Sequence, residues 1–177
     1  MTKNLVLTLT GHDKIGIVDH VTEMVLQCNG NIEGSRMARL GGEFAMMMLV
    51  AVPEDRIERL QQNITSLKEE GYVVNTVETD PGDPQKYSGW IPFYVKMAGA
   101  DHEGVVHEIT HHLAECGINI ESLETSVVKA PMSGTPLFSI SAIVLVPPKI
   151  SLHELEEGLK RVGDELNMDS EVTPYVG

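Results

Sequence analysis

Along this chain, apolar and polar positions switch repeatedly between two periods. Residues 5–10, LVLTLT, are short, apolar and rich in β-branched side chains, the pattern of a strand. After Gly11 to Asp13 the period lengthens. Val18, Val21, Val25 and Cys28 then fall on one helical stripe. Asp13 reads as the N-cap of a helix starting near Lys14, and Asn29-Gly30 as its end. Asn31 to Leu40 reads as a second strand, with Gly41-Gly42 as a hairpin turn. Phe44 to Val52 is a third strand, apolar throughout, which predicts a central strand or one covered on both faces. Pro53-Glu54-Asp55 opens a second helix with Ile57, Leu60, Ile64 and Leu67 on one face. Gly71 stops it, and Tyr72 to Thr79 is a fourth strand.

Residues 80–91, DPGDPQKYSGWI, carry two prolines and two glycines without periodicity, which breaks both helix and strand. They predict a linker, with Trp90, the single tryptophan, packed between two halves. The same order then returns. Pro92 to Ala98 is a strand, and Asp101 caps a helix with Val106, Ile109, Leu113 and Cys116 on its stripe. Ile118 to Lys129 is a strand, residues 130–136 a longer turn, and Leu137 to Val146 a third strand. Leu152, Leu155, Leu159 and Val162 mark the second helix, and Ser170 to Tyr175 the last strand.

The return is a repeat of sequence as well as of pattern. Gly11–Glu33 and Gly99–Glu121 share nine identities at a fixed offset of 88 residues. Among these are Gly11/Gly99, Asp13/Asp101, Gly16/Gly104, Cys28/Cys116 and Asn31/Asn119. Unrelated segments of that length share roughly one or two, so the chain holds two copies of one small domain. From Phe44/Phe138 onward the offset is 94, a six-residue insertion at the hairpin tip, where insertions are best tolerated. Two β-α-β-β-α-β units predict an α+β fold of two tandem ferredoxin-like sandwiches, each an antiparallel sheet with helices on one face. The expected boundaries are 1–80, a linker at 81–91, and 92–177. Each sheet leaves edge strands that the other half or a second chain could cover.

Composition narrows the function classes. A chain of 177 residues with 42% hydrophobic content can build two small cores. No apolar run approaches the ~20 residues of a membrane span, and the start of the sequence lacks a signal-peptide pattern. The expectation is a cytoplasmic protein. A formal charge of −13 repels phosphate backbones and argues against direct nucleic-acid binding. Cys28 and Cys116 occupy equivalent positions on apolar helix stripes, which predicts buried free thiols rather than a disulfide or a metal pair.

His107-Glu108-Ile109-Thr110-His111 matches H-E-x-x-H, the zinc-protease signature. At ~100° per residue the two histidines lie about 160° from the apolar stripe and face water. A catalytic zinc needs a third ligand and a shaped cavity, which an exposed helix face lacks. The equivalent positions in the first copy are Asp19 and Glu23. We read the match as coincidence, with adventitious metal binding by His107 and His111 as its remaining chemistry. No P-loop, C-x-x-C or G-x-S-x-G is present, and no enzyme is expected. Acylphosphatase-like enzymes share the element order but use an arginine in the first loop, which GHDKIG and GADHEG lack. RNA-recognition modules need stacking aromatics on central strands, where this chain has AMMMLVAV.

The D-x-x-G turn before the first helix, followed by N-I at the second strand, resembles the ACT domain. Here it is Asp13-Lys14-Ile15-Gly16 with Asn31-Ile32, and again Asp101-His102-Glu103-Gly104 with Asn119-Ile120. The resemblance covers nearly the whole chain. It implies a regulatory, non-enzymatic module that binds an amino acid or other small molecule where two domains meet, with no cofactor. Carried over, the ligand-binding candidates are Asp13, Ile15, Gly16, Ile17, Asn31 and Ile32, and Asp101, Glu103, Gly104, Val105, Asn119 and Ile120. Helix-start amides can hold a carboxylate, and an Asn amide can serve both ends of an amino acid. For Asp13 and Asp101 the alternative is simple N-capping, for the asparagines a turn role, and for the glycines turn geometry alone. Lys14-Ile15 and His102-Glu103 differ, which predicts two unequal sites. Stand-alone tandem relatives further imply glycine as ligand, a DNA-binding activator as protein partner, and a homodimer as one arrangement. The competing reading is a ligand-free protein–protein interaction module.

Overall fold

The computed structural model describes residues 1–80, 86–129 and 136–176. The linker prolines and glycine at 81–84, and most of the turn that carries the insertion at 130–135, lie outside the described residues. The chain divides into two compact units, Met1–Asp83 and Pro84–Gly177.

In the first unit, β1 (Thr2–His12), α1 (Ile17–Gln27), β2 (Asn31–Leu40), β3 (Glu43–Pro53), α2 (Ile57–Glu69) and β4 (Val73–Thr79) follow in order, with a short 3-10 turn at Glu54–Arg56 before α2. The second repeats them as β5 (Ile91–Ala100), α3 (Val105–Glu115), β6 (Asn119–Lys129), β7 (Pro136–Val146), α4 (Leu152–Leu166) and β8 (Met168–Pro174). The sheets run β2-β3-β1-β4 and β6-β7-β5-β8, antiparallel throughout, so the interior strands pair with both neighbours. This is the ferredoxin-like α+β architecture, twice over. Among the described residues no helix is long and apolar enough to cross a membrane.

Strand alternation builds each core. Leu5, Leu7 and Leu9 of β1, with Met46, Met48, Val50 and Val52 of β3, point to the helices and are buried. Met47, between them, is 50% exposed. The apolar run of β3 therefore marks an interior strand, but only one of its faces is covered. In the second unit Val95, Met97, Ile140, Val144 and Leu159 are nearly inaccessible. Cys28 is a buried free thiol, whereas Cys116 is only half-buried. Trp90 sets its ring edge against Tyr87, with ring centroids 5.0 Å apart.

Two helix readings need correction. Neither Asp13 nor Asp101 caps its helix. Gly16 and Gly104 hold the N-cap position with φ +92° and +88°, and the helices begin at Ile17 and Val105. Four residues upstream of the first helical residue, each aspartate lies on the far side of that left-handed bend. The buried stripes differ at their first position only, since Val21, Val25 and Cys28, and Ile109 and Leu113, are buried as the spacing predicts. Ile17, Val21, Met24 and Val25 face the first core, and Val105, Ile109 and Leu113 the second, while Val106 is 38% exposed. A helix entered immediately after a left-handed glycine turns its first residue inward.

Candidate functional site

The strand–helix turns are built by their glycines. A Cβ on Gly16 or Gly104 would meet nothing within 4 Å, so the positive φ, not crowding, is what these positions require. The bend lets the Ile17 amide donate to the Lys14 carbonyl at 3.2 Å and starts the helix with His20 donating to Gly16 O at 2.9 Å. Glu108 donates to Gly104 O at 3.0 Å in the second turn. The first-turn amides of each helix open toward the bend.

In the first unit a cavity of about 280 Å³ lies at this bend, lined by Lys14, Ile15, Gly16, Ile17, His20 and Glu70. Ile15 stands fully in solvent, whereas Ile17 is 6% exposed, so Ile17 offers the cavity only its backbone. Glu70 lies 3.6 Å from both Lys14 Nζ and His20 Nε2. A cation, an anion, helix amides and one exposed apolar side chain thus line a small space. Asp13 turns elsewhere, 3.5 Å from an Arg39 guanidinium nitrogen, and its amide donates to Gly42 O at 3.2 Å.

The second turn is closed differently. His102 takes the place of Lys14, and its Nε2 lies 3.1 Å from the Leu166 carbonyl while Nδ1 lies 3.1 Å from the Glu103 carbonyl. A neutral imidazole donates through one nitrogen only, and the imidazolium satisfies both carbonyls. Those carbonyls, Leu166 first, hold the His102 pKa above its ordinary value. Leu166 ends α4, where a helix favours positive charge. Glu103 is exposed, and Val105 is core.

The asparagines lie elsewhere. Asn31 pairs with Ala51, level with Asn4 of β1, whereas the turn follows His12 at the strand's other end. The two ends of such a strand are roughly 25 Å apart. Asn119, level with Leu145, is likewise remote from the turn that follows Ala100 beside Leu137. Ile32 and Ile120 pack on their respective cores. Each unit therefore brings its turn residues together and keeps its asparagine at the opposite end of the sheet. Asn119 Oδ1 accepts from the Tyr87 hydroxyl at 3.1 Å. Asn31 is exposed.

The sequence reading missed His20, Glu70 and Tyr87. The topology held the signal for Glu70: Val73 pairs with Thr10, which returns the end of α2 to the end of β1. His107 and His111 stack on the outer face of α3 with ring centroids 5.6 Å apart, and His111 lies 3.4 Å from Glu115. Among the described residues, no three His, Cys, Asp or Glu side chains converge as a metal site.

Two tandem βαββαβ sandwiches, each with a glycine-bent turn leading into its first helix, define the class as paired small α+β domains. The chain belongs to the ACT domain family, which its sequence matches over residues 3–74 and 92–173. It is 26% identical over 171 residues to the glycine cleavage system transcriptional repressor of Escherichia coli (strain K12), covering 95% of this chain and 88% of that one. A crystal structure of an unknown protein from Galdieria sulphuraria superposes with a TM-score of 0.86 at 30% identity, over 99% of this chain and all of the other. A putative glycine cleavage system transcriptional repressor superposes at 0.71 and 24% identity, over 100% and 99% of the two chains, and shares the fold. These similarities support a regulatory ACT protein.

Proposed function

We propose that the chain is a non-enzymatic amino-acid sensor acting in the cytoplasm on a protein partner. The observation that carries this reading is the cavity at the first turn. Glu70 suits an ammonium group, Lys14 and the first-turn amides suit a carboxylate, and the space fits a small amino acid. Lys14, Ile15, Gly16, the Ile17 backbone and Glu70 form one part of the site, and Asp13, turned to Arg39, is outside it. Asn31 and Ile32 of a second copy of the chain supply the rest, since no unit holds both parts at one end. The second turn, with Asp101, Glu103, Gly104 and Val105, is the unequal counterpart, closed by His102 on the Leu166 carbonyl. Similarity to the Escherichia coli repressor supports glycine as the ligand and transcriptional control of amino-acid metabolism as the outcome. The charge of −13 favours control through a DNA-binding activator over direct DNA contact. For ligand binding to alter that partner, the ligand must favour one arrangement of the domains over another.

Calorimetric titration with glycine, serine and a panel of other amino acids tests this. A saturable signal lost in Lys14→Ala and in Asn31→Ala is the expected result. A flat response from folded protein removes the sensor reading. A second reading draws on the second unit, where His102 and Asn119 already have partners within the protein. There the unit is a ligand-free protein–protein interaction module, and Asn119→Ala leaves the titration unchanged.

A further inference from the structure

Catalysis and chelation are separate claims on one motif. Among the described residues His107-Glu108-Ile109-Thr110-His111 has no third ligand, which removes a catalytic zinc and leaves two imidazoles about one helical turn apart. Of the seven histidines in the chain, these two alone stand four residues apart. That spacing sets side chains one above the other on a helix, with Cβ atoms about 5–6 Å apart. The helix α3 is held in place by its inner face, where Val105, Ile109 and Leu113 are buried, so its outer face is fixed as well. The two rings lie nearly parallel, with 20° between their planes and 5.6 Å between their centroids. An ion held tetrahedrally by imidazole nitrogens at about 2.1 Å needs those nitrogens about 3.4 Å apart. Two exposed rings reach that separation by tipping toward each other about their broad terminal torsions, with the backbone unmoved.

A third side chain prepares the pair. Glu115 follows four residues after His111, and its carboxylate lies 3.4 Å from His111 Nε2. A carboxylate there holds the proton on that nitrogen and leaves Nδ1 bare, the arrangement that orients metal-ligating histidines. With 26 acidic against 13 basic residues, the protein as a whole attracts cations. The donor type narrows the choice of ion. Imidazole suits zinc, nickel and copper, whereas magnesium and calcium take oxygen ligands. We propose that His107 and His111 form a two-point site for zinc or a neighbouring late first-row divalent ion, with Glu115 orienting His111. Water fills the other coordination positions, so the ion exchanges readily. The site ties the first turn of α3 to the next. It belongs to the second unit alone, since Asp19 and Glu23 stand at the equivalent positions of α1. This inference is independent of the sensor reading.

Calorimetric titration of the full chain with zinc chloride tests it, in excess magnesium to occupy the surface carboxylates. Wild-type protein is expected to bind one zinc ion. His107→Gln and His111→Gln are each expected to raise the dissociation constant about tenfold or more, roughly 1.4 kcal/mol, because a single imidazole cannot chelate. Both side chains are exposed, so the variants are expected to keep the wild-type circular dichroism. Glu115→Gln is expected to weaken binding severalfold, and Cys116→Ser to leave it unchanged. Zinc is also expected to raise the unfolding midpoint of wild type and not that of His107→Gln. The absence of a saturable zinc signal overturns the proposal, as does undiminished binding in both folded histidine variants or an equal rise of the two midpoints. Binding lost in Cys116→Ser overturns it as well, by placing the ion on the His112–Cys116 pair, whose ring and thiol are 3.8 Å apart. A Glu115→Gln protein that binds like wild type overturns the role given to Glu115.

Discussion

His102 stands between two carbonyl oxygens, those of Leu166 and Glu103, each 3.1 Å from one ring nitrogen. The arrangement ties the β5–α3 turn to the end of α4 and is complete only when the ring is protonated. In the first unit the equivalent residue is Lys14, which reaches Glu70 across an open cavity. One repeated turn has thus been closed by a histidine and the other left accessible.

The His102 clamp has a pH signature. Its pKa in the folded protein is raised, with Leu166 the first cause, and Asp101 is the charged group that adds to the effect. A raised folded value means that the stabilisation is fully present below the unfolded value of about 6.5 and is lost as pH rises through the folded pKa. The stability difference between wild type and His102→Gln, measured by urea unfolding, is expected to be largest near pH 5.5 and to shrink toward pH 8. A difference that grows with pH would refute the clamp.

His112 has the opposite sign. Burial pushes its pKa down, and Arg161 adds to that shift against a smaller upward pull from Glu115. Its ring lies where a side chain at position 158 would be: a Cβ on Gly158 would come 2.6 Å from His112 Nε2. The neutral ring fills the space between α3 and α4, with Cys116 Sγ 3.8 Å away. A depressed folded value means stability that is present above about pH 6.5 and falls as the ring is forced to charge. The stability of wild type relative to His112→Gln is expected to fall between pH 7 and pH 5, as the wild-type ring is forced to charge. Parallel pH profiles for the two proteins would show that the ring does not titrate in this way.

How much of this was legible in the sequence follows from which forces are local. Strand alternation, helix period and the 88-residue repeat gave the element order and the α+β architecture, because each core is built from those periodicities. The helix starts were misplaced because D-x-x-G reads as an aspartate cap, whereas the glycine's left-handed bend takes that position. Ile17 and Val105 were candidates for ligand contact, and as the inward-facing first residues of their helices they are core. The run AMMMLVAV could not reveal that one side of β3 is open, since both of its faces are apolar. Turn residues were found because they are contiguous and repeated. Glu70 and Tyr87 arrive from distant parts of the chain, and only strand pairing brings Glu70 back to the end of β1.

The repeated glycines divide by mechanism, and substitution separates them. A Cβ on Gly99 would lie 2.4 Å from the Asn167 carbonyl oxygen and 2.8 Å from Met168 Cα, both backbone atoms that cannot yield cheaply. Gly16→Ala meets no atom, and its cost is that of a left-handed residue, about 1–2 kcal/mol. Gly99→Ala is expected to cost about 3 kcal/mol or more, since overpacking against a fixed backbone adds strain. Thermal unfolding of the two variants checks the order. Equal losses would mean that the strand end at Gly99 relaxes without resistance.

Ile15 and Ile17 are two residues apart and do different jobs. Ile15 is fully exposed at the mouth of the first cavity, and Ile17 is 6% exposed against Val21 and the first core. Ile17→Ala removes buried methylenes and is expected to cost about 2–4 kcal/mol of stability. Ile15→Ala removes no burial and is expected to change stability by less than about 0.5 kcal/mol. Ile15 is also the one apolar side chain of the cavity that is free to close over an occupant. Its loss is therefore expected to weaken amino-acid binding severalfold while leaving the unfolding midpoint in place. Chemical denaturation and calorimetric titration of both variants read the two effects separately. Unchanged binding in folded Ile15→Ala protein would move the ligand away from this turn, and a stability loss as large as that of Ile17→Ala would show that the side chain is packed rather than exposed.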